Sequence, residues 1–232
     1  MRLAGRWTSP PRTLRLRISK LAPSQRVQGR WLCHLEDGTI LRVGENEVAV
    51  FGLCSGLELT AEKLEELTRA AKAAAVRDKA MDLLSARPLS RKELVDKLTA
   101  RPRDREKEPM ADRETAEAAA DRLEELGYLN DGAYACTVAE HYAANGWGPA
   151  RIREELYRRG VPREYWDQAL ETLESPDDAI DAFLKKKLRG ADLSNPKSCQ
   201  RAAAALARRG FRWEDIKDGL RRYGGAEDFE YE

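Results

Sequence analysis

The first part of the chain alternates apolar and polar side chains with a period of two, the pattern of a strand with one buried face. Leucine and isoleucine alternate with arginine and serine in "TLRLRIS", residues 13–19. The stretch "RWLCHLEDGTILRV" continues the alternation on both sides of Asp37-Gly38, a dipeptide typical of a hairpin turn. We therefore predict a small β-hairpin-containing element over residues 1–57, with its strands confined to roughly residues 12–50.

Beyond residue 57 the apolar positions recur every three or four residues, which indicates helices. Thr60 is placed to cap the first of them, and Ser90 with Glu93 three positions later forms a capping box before the next. Glycines follow the helical stretches, for example at Gly127, where glycine commonly ends a helix. The pattern predicts a helical chain from this point onward.

The helical part contains a repeat. Residues 151–170, "RIREELYRRGVPREYWDQAL", match residues 201–220, "RAAAALARRGFRWEDIKDGL", at seven of twenty positions, among them an Arg-Arg-Gly triplet. A shift of 58 residues brings Leu94 onto Ile152 and adds an earlier copy, which an insertion interrupts. Each copy carries apolar residues four positions apart that a lone unit could not bury well, so the copies are expected to stack.

These patterns predict a mainly α fold of tandem three-helix, helix-turn-helix-like repeats in an elongated array, with a small N-terminal β element. The predicted segments are the N-terminal element at 1–57, a linking helix and first three-helix unit at 58–130 with an insertion near 103–113, a second unit at 131–175, a third unit at 176–225 and an acidic tail at 226–232. The residues that define the repeat are Gly148, Pro149, Ile152, Leu156, Gly160, Leu206 and Gly210. Pro149 suits a first helical turn, and Gly160 and Gly210 are expected to end the middle helices.

Charge is balanced overall but not along the chain. Lysine and arginine total 41 against 40 aspartates and glutamates, so bulk charge does not favour a protein held to DNA by electrostatics alone. Residues 1–57 and 176–225 each carry a net charge of +5, whereas residues 78–175 carry a net charge of −5. Positive charge therefore lies toward both ends of the body.

Motifs for catalysis are missing from the sequence, which contains no G-x-x-x-x-G-K-[ST], G-x-G-x-x-G or G-x-S-x-G. The two histidines, His34 and His141, have no partner at metal-ligand spacing and are interpreted as structural or surface residues. The four cysteines lie far apart without a C-x-x-C, which favours a reducing cytoplasm over a disulfide framework. We expect a cytoplasmic monomer that is not an enzyme, uses no metal or cofactor and does not span a membrane.

The candidate functional feature is a basic cluster in the third unit, together with the arginine pair of the second. Its residues are Lys185, Lys186, Lys187, Arg189, Arg201, Arg208, Arg209, Arg212, Arg158 and Arg159. One interpretation is a solvated face with cations that stabilise helix C-termini, and for the individual arginine pairs this alternative stays open. For the cluster as a whole, the density of cations favours contact with an acidic protein surface or a nucleic-acid backbone.

The stretch "LEELGYLNDGAYACTVAEHYAANGWGPARIREELYRRGVP", followed later by "RRGFRWEDIKDGL", closely resembles the RecX family of bacterial regulators of the RecA recombinase. "LEDGTILRVGENEVAVFGLCSGLELTAEKLEEL" is similar to the N-terminal extension of longer members. The resemblance implies a regulator that binds the RecA filament on single-stranded DNA, in the filament groove. It implies inhibition of filament growth, ATP hydrolysis, strand exchange and repressor cleavage, and hence regulation of DNA repair, homologous recombination and the SOS response.

Two other classes of function remain open from the residues alone. Three-helix units resemble helix-turn-helix modules, so a DNA-binding protein that acts directly on nucleic acid is the main alternative. No helix combines arginine or lysine with asparagine or glutamine in an evident base-reading pattern, which argues against it. The third class is a helical scaffold for another partner.

Overall fold

The computed structural model describes residues 15–102, 108–189 and 196–224. Part of the predicted insertion near 103–113 and the whole predicted acidic tail lie outside the described residues. Within the described ranges the chain is mostly helical and begins with a small antiparallel sheet. The predicted fold class is confirmed.

Four strands form the N-terminal sheet: β1 (Arg15–Pro23), β2 (Arg30–Leu35), β3 (Ile40–Gly44) and β4 (Glu58–Thr60). Their order is β3-β2-β1-β4, and every neighbouring pair is antiparallel. The predicted turn at Asp37-Gly38 joins β2 to β3, where the Leu35 amide donates to the Thr39 carbonyl oxygen at 2.8 Å. Ile18 and Cys33 are fully buried on the covered face of the sheet, as the alternation predicts.

The prediction that strands are confined to residues 12–50 is wrong. A short helix, α1 (Glu45–Val50), lies inside that region, and β4 lies beyond it. After α1 the chain returns to β1 and bonds to it through Ile18. The Ile18 amide donates to the Leu57 carbonyl oxygen at 2.9 Å, and the Gly56 amide donates to the Ile18 carbonyl oxygen at 2.8 Å. A strand of three residues is too short to show alternation, which explains why the pattern missed β4.

The sheet is connected to the helical units by α2 (Ala61–Ala86). Thr60 caps this helix as predicted, since its hydroxyl oxygen accepts from the Lys63 amide at 3.3 Å. The helix runs without a break from Leu67, in the core beneath the sheet, to Val76, in the core of the first helical unit. One continuous helix therefore contributes to two cores, and the sheet core extends past residue 57.

The remaining helices are α3 (Arg91–Thr99), α4 (Arg113–Glu125), α5 (Asp131–Ala144), α6 (Pro149–Arg158), α7 (Trp166–Glu171), α8 (Asp177–Lys187), α9 (Pro196–Arg208) and α10 (Trp213–Arg222). The first unit combines the end of α2 with α3 and α4. The second consists of α5, α6 and α7, with a 3-10 turn before α7, and the third of α8, α9 and α10. None of the helices within the described ranges is long and apolar enough to cross a bilayer.

Each three-helix unit encloses its own apolar core. Leu94 and Leu98 are at most 1% exposed in the first core, Ile152 and Leu156 are at most 1% exposed in the second, and Leu206 is fully buried in the third. These are positions that the repeat aligns. Burying each such aliphatic side chain stabilises its unit by about 1.5–3 kcal/mol.

The repeated glycines end the middle helices of the second and third units. Gly160 follows α6 with φ at 71°, and Gly210 follows α9 with φ at 87°. This left-handed backbone region favours glycine over every residue with a Cβ. At the other end of α6, Pro149 occupies the first helical position, where its missing N–H leaves no hydrogen bond unmade.

Candidate partner-binding surface

Seven of the predicted basic residues are exposed on the third unit: Lys185, Lys186, Lys187, Arg189, Arg201, Arg208 and Arg212. We call these seven residues the basic surface. Within the described ranges none of them forms an ion pair. Because their charges are not neutralised by neighbouring carboxylates, they can contact acidic groups or phosphates of another molecule.

The structure brings the two helices of the basic surface together at Arg209. The guanidinium carbon of Arg209 lies 4.7 Å from the centroid of the Phe183 ring on α8. Lys186 follows Phe183 by three positions, so it lies one turn further along the same side of α8. The Arg209 side chain, which directly follows α9, therefore packs on the side of α8 that carries Phe183. Lysines in a last helical turn also interact favourably with the helix dipole.

Arg209 itself is half-buried, although the sequence places it with the exposed cations. Its guanidinium donates to the Gly146 carbonyl oxygen at 3.2 Å and lies 5.8 Å from the centroid of the Trp147 ring. These contacts and the Phe183 contact hold Arg209 between the second and third units. The side chain is thus engaged within the molecule.

The arginine pair of the second unit binds a buried carboxylate. Arg158 and Arg159 each place a guanidinium nitrogen 2.7 Å from Glu155, whose side chain is only 7% exposed. Arg159 also donates to the Tyr134 hydroxyl at 2.7 Å, and this hydroxyl donates to Glu93 at 2.7 Å. We call these five residues the Glu155 network. Arg158 stays 71% exposed, whereas Arg159 is 24% exposed.

Both carboxylates of the Glu155 network are held in the charged form. Burial by itself raises the pKa of Glu155, but hydrogen bonds with Arg158, Tyr142 and Arg159 outweigh burial and lower the pKa to about 2. Burial likewise opposes ionisation of Glu93, and the hydrogen bond from Tyr134 helps to lower its pKa below the ordinary value. Arg159 therefore faces both carboxylates, Glu155 of its own unit at 2.7 Å and Glu93 of the first unit at 3.8 Å.

The second arginine of this pair also joins its unit to the preceding one. Ser90 accepts from the Glu93 amide at 3.0 Å, as the predicted capping box requires, and its hydroxyl donates to the Arg159 carbonyl oxygen. Gly160 lies so close to Lys92 that an added Cβ would overlap the lysine side chain. The start of α3 is therefore held against the end of α6, in what we call the first joint.

The same arrangement recurs between the second and third units. The Gly148 amide donates to the Arg209 carbonyl oxygen at 2.8 Å, and the Ala150 amide donates to that of Gly210 at 3.0 Å. A Cβ at Gly148 would overlap the backbone of Gly210. The start of α6 is thus held against the end of α9, in what we call the second joint.

The two joints explain why the chain repeats an arginine followed by glycine. Each copy presents the arginine carbonyl and a glycine without a side chain to the start of the preceding middle helix. Sequence reasoning missed this role and interpreted the arginines as surface cations. A signal was present, because Ser90 and Gly148 are 58 residues apart, the same shift that aligns the first two copies.

We expect Ser90→Ala to lower the free energy of unfolding by about 2 kcal/mol, because it removes a helix cap and leaves the Arg159 carbonyl without its partner. Asn130→Ala is the matched control, since Asn130 caps α5 through the Ala133 amide at 2.9 Å and makes no contact across a joint. The control should cost about 1 kcal/mol. Urea denaturation followed by circular dichroism measures both. Equal losses would mean that the Ser90 bond to Arg159 contributes nothing.

The described ranges contain no group of three histidine, cysteine, aspartate or glutamate side chains placed to hold a metal ion. They contain instead three tandem three-helix units and two joints of the same design. The fold defines a modular helical protein of the helix-turn-helix-like repeat class.

Comparison with known proteins identifies the family within this class. The family model described as "RecX, second three-helix domain" matches residues 130–170, the second unit. Regulatory protein RecX of Pseudomonas entomophila is 38% identical over 143 residues, which cover 61% of this chain and 87% of the relative. Regulatory protein RecX of Pseudomonas putida is 37% identical over 138 residues, 59% of this chain and 83% of the relative. The chain belongs to the RecX family of regulatory proteins.

Two solved structures share the fold. A crystal structure of regulatory protein RecX superposes with a TM-score of 0.68 at 23% identity and covers 88% of this chain and 99% of that one. RecX from Lactobacillus salivarius superposes with a TM-score of 0.59 at 19% identity and covers 67% of this chain and 98% of that one. Tandem three-helix units are thus a fold that this chain shares with solved RecX proteins.

Proposed function

We propose that the protein binds the RecA recombinase filament on single-stranded DNA and inhibits its ATPase, strand-exchange and coprotease activities. The observation that carries the proposal is the basic surface, seven exposed cations without ion pairs among the described residues, on a chain of the RecX family. The relatives are named regulatory proteins. The proposed role is therefore one of binding and control, without chemistry of its own.

Tandem units suit a helical polymer as partner. Each unit has its own core, and the two joints connect the three units in series. A connected series can contact neighbouring subunits of a filament at once, so several modest contacts add up to strong binding. The basic surface supplies the contact with acidic groups of the filament or with the phosphates of its DNA.

Reversing two charges of the basic surface tests this proposal. We expect Lys186→Glu with Arg208→Glu to raise the concentration needed for half-inhibition of the RecA ATPase by about tenfold or more, because attraction becomes repulsion. The measurement is RecA ATPase on single-stranded DNA across a range of salt. Inhibition by the unaltered protein should weaken as salt rises. Both side chains are exposed but lie in last helical turns, so stability should change by no more than about 1 kcal/mol per substitution.

Lys63→Glu with Lys79→Glu is the matched control, with the same change of charge at exposed positions of α2. It should leave inhibition unchanged. If the Lys186/Arg208 variant inhibits as well as the unaltered protein at every salt concentration, the basic surface does not bind the filament. If the unaltered protein does not associate with RecA, and the Lys186/Arg208 variant loses binding to bare DNA while the control keeps it, the alternative of a direct DNA-binding protein is favoured.

A further inference from the structure

A preformed apolar cleft lies between the second and third units. Its volume is about 510 Å³, and its apolar lining includes Ala143, Trp147, Ile152, Leu173, Ala179 and Phe211. Size and lining are those of sites that take an apolar group from a ligand. Two aromatic rings in the wall offer a large contact area for one inserted side chain.

All charged side chains that line this cleft are acidic. Glu140, Glu174 and Asp178 are exposed at its rim, and no lysine, arginine or histidine contributes to the lining. None of the three forms an ion pair in the part of the chain that the structure describes. Three carboxylates without ion pairs at the rim favour cations over phosphates there, while the guanidinium groups of Arg151 and Arg209 lie over the Trp147 ring and outside the lining.

The walls of the cleft are held in place by the second joint. Trp147 lies under the guanidinium groups of Arg151 and Arg209, at 5.6 and 5.8 Å from its ring centroid. The Gly148 amide is bonded across the units to the Arg209 carbonyl oxygen at 2.8 Å. A ligand thus meets a cleft that is already formed and need not order it, which favours binding.

We propose that this cleft binds a basic segment of a partner protein, which inserts one aliphatic or aromatic side chain while flanking lysines or arginines face Glu140, Glu174 and Asp178. A peptide segment supplies both the apolar anchor and several cations. Nucleic acid and anionic lipid are disfavoured, because their phosphates would meet the carboxylates.

This cleft and the basic surface carry opposite charge on neighbouring parts of the molecule. The basic surface takes acidic groups or phosphates, and the cleft takes a cationic segment. The proposal for the cleft does not depend on RecA binding, because it is argued only from the residues that line the cleft and from their charges. A partner that uses both surfaces must present both charges in the right order, which makes recognition more selective.

The test uses the full chain and a synthetic hexapeptide with Leu-Phe between two Lys-Arg pairs, followed by nuclear magnetic resonance. We expect saturable shift changes at the amides around Ala143, Trp147 and Leu173, with a dissociation constant on the order of 0.1–1 mM. A peptide with Gly-Ser in place of Leu-Phe, and one with glutamates in place of the cations, should not bind there. Shifts elsewhere on the surface, or no saturable shifts, would overturn the proposal.

Two variants separate the charge from the cavity. The first is a triple lysine variant, which should weaken peptide binding by about tenfold or more. It combines Glu140→Lys, Glu174→Lys and Asp178→Lys. Ala144→Trp places a ring into the cleft from an exposed position and should abolish binding. The matched control is Glu36→Lys, Glu62→Lys and Asp82→Lys, three exposed acids outside the cleft, and it should bind the peptide normally.

Sedimentation equilibrium adds a separate outcome. If the unaltered protein self-associates and Ala144→Trp abolishes this self-association, the cleft binds a second copy of this chain. That result would overturn the proposal of a different partner. Undiminished peptide binding by the triple lysine variant would also overturn it, because the carboxylates would then have no part in recognition.

Discussion

Gly210→Ala is expected to lower the free energy of unfolding by about 3–5 kcal/mol, because it acts on the backbone and on the second joint at once. Gly210 has φ at 87°, a conformation that an alanine adopts only with strain. A Cβ there would also overlap the backbone nitrogen of Arg151, which has no room to move within α6. The substitution should therefore separate the third unit from the second. Urea denaturation measures the loss.

Gly127→Ala is the matched control for this experiment. Gly127 also follows a helix, has φ at 77° and has open space where a Cβ would be added. It should cost only the strain of the left-handed conformation, about 1–2 kcal/mol. The excess loss in Gly210→Ala then measures the joint. If both variants lose the same stability, the close approach of the two units contributes nothing.

Arg159→Ala is expected to lower the free energy of unfolding by about 1.5–3 kcal/mol, the usual contribution of a hydrogen bond to a charged group, because Arg158 still pairs with Glu155 in this variant. Glu155, 7% exposed, would keep only one of its two guanidinium partners. The Tyr134 hydroxyl would lose a donor as well. Arg158→Ala removes the other partner of Glu155 and is the control, with a smaller loss because Arg158 is largely exposed.

The same variant predicts a dependence on pH. The pKa of Glu155 is about 2 in the folded protein, below its ordinary value of 4.5. Its contribution to stability is therefore complete above pH 4.5 and is lost as pH falls toward 2. In Arg159→Ala this pKa should rise, so the difference in unfolding free energy between the two proteins should be largest near neutral pH and shrink in acid. A difference that stays constant down to pH 2 would contradict the role of Glu155.

Local patterns were sufficient for much of the fold. Period-two alternation located the first three strands, and Ser90 with Glu93 was identified as a capping box because both partners lie within four residues of each other. The strand β4 was missed because three residues show no period. The aliphatic residues of the repeat could be assigned to cores because their spacing is that of a buried helix face.

Contacts between residues that are distant in the sequence could not be predicted from local patterns. The second bond of Ser90 reaches Arg159, 69 residues away, and only the 58-residue shift of the repeat relates its position to the second joint. Arg209 looks like its exposed neighbour Arg208 in the sequence, yet it is half-buried against Trp147 and Phe183. The acidic cleft combines residues of both units, so it exists only once the second joint has formed.

The two joints give the array a direction. The amides at the start of α6, those of Gly148 and Ala150, donate to carbonyl groups of the third unit and not to groups of the first unit. Truncation from the C-terminus therefore uncaps a helix in the unit left behind. Truncation from the N-terminus leaves that helix start capped and exposes side-chain and carbonyl groups instead, those of Asp131, Tyr134 and Arg159, which water can satisfy. A ribosome makes the chain from the N-terminus, so a nascent second unit carries an open helix start until the third unit has emerged and docked.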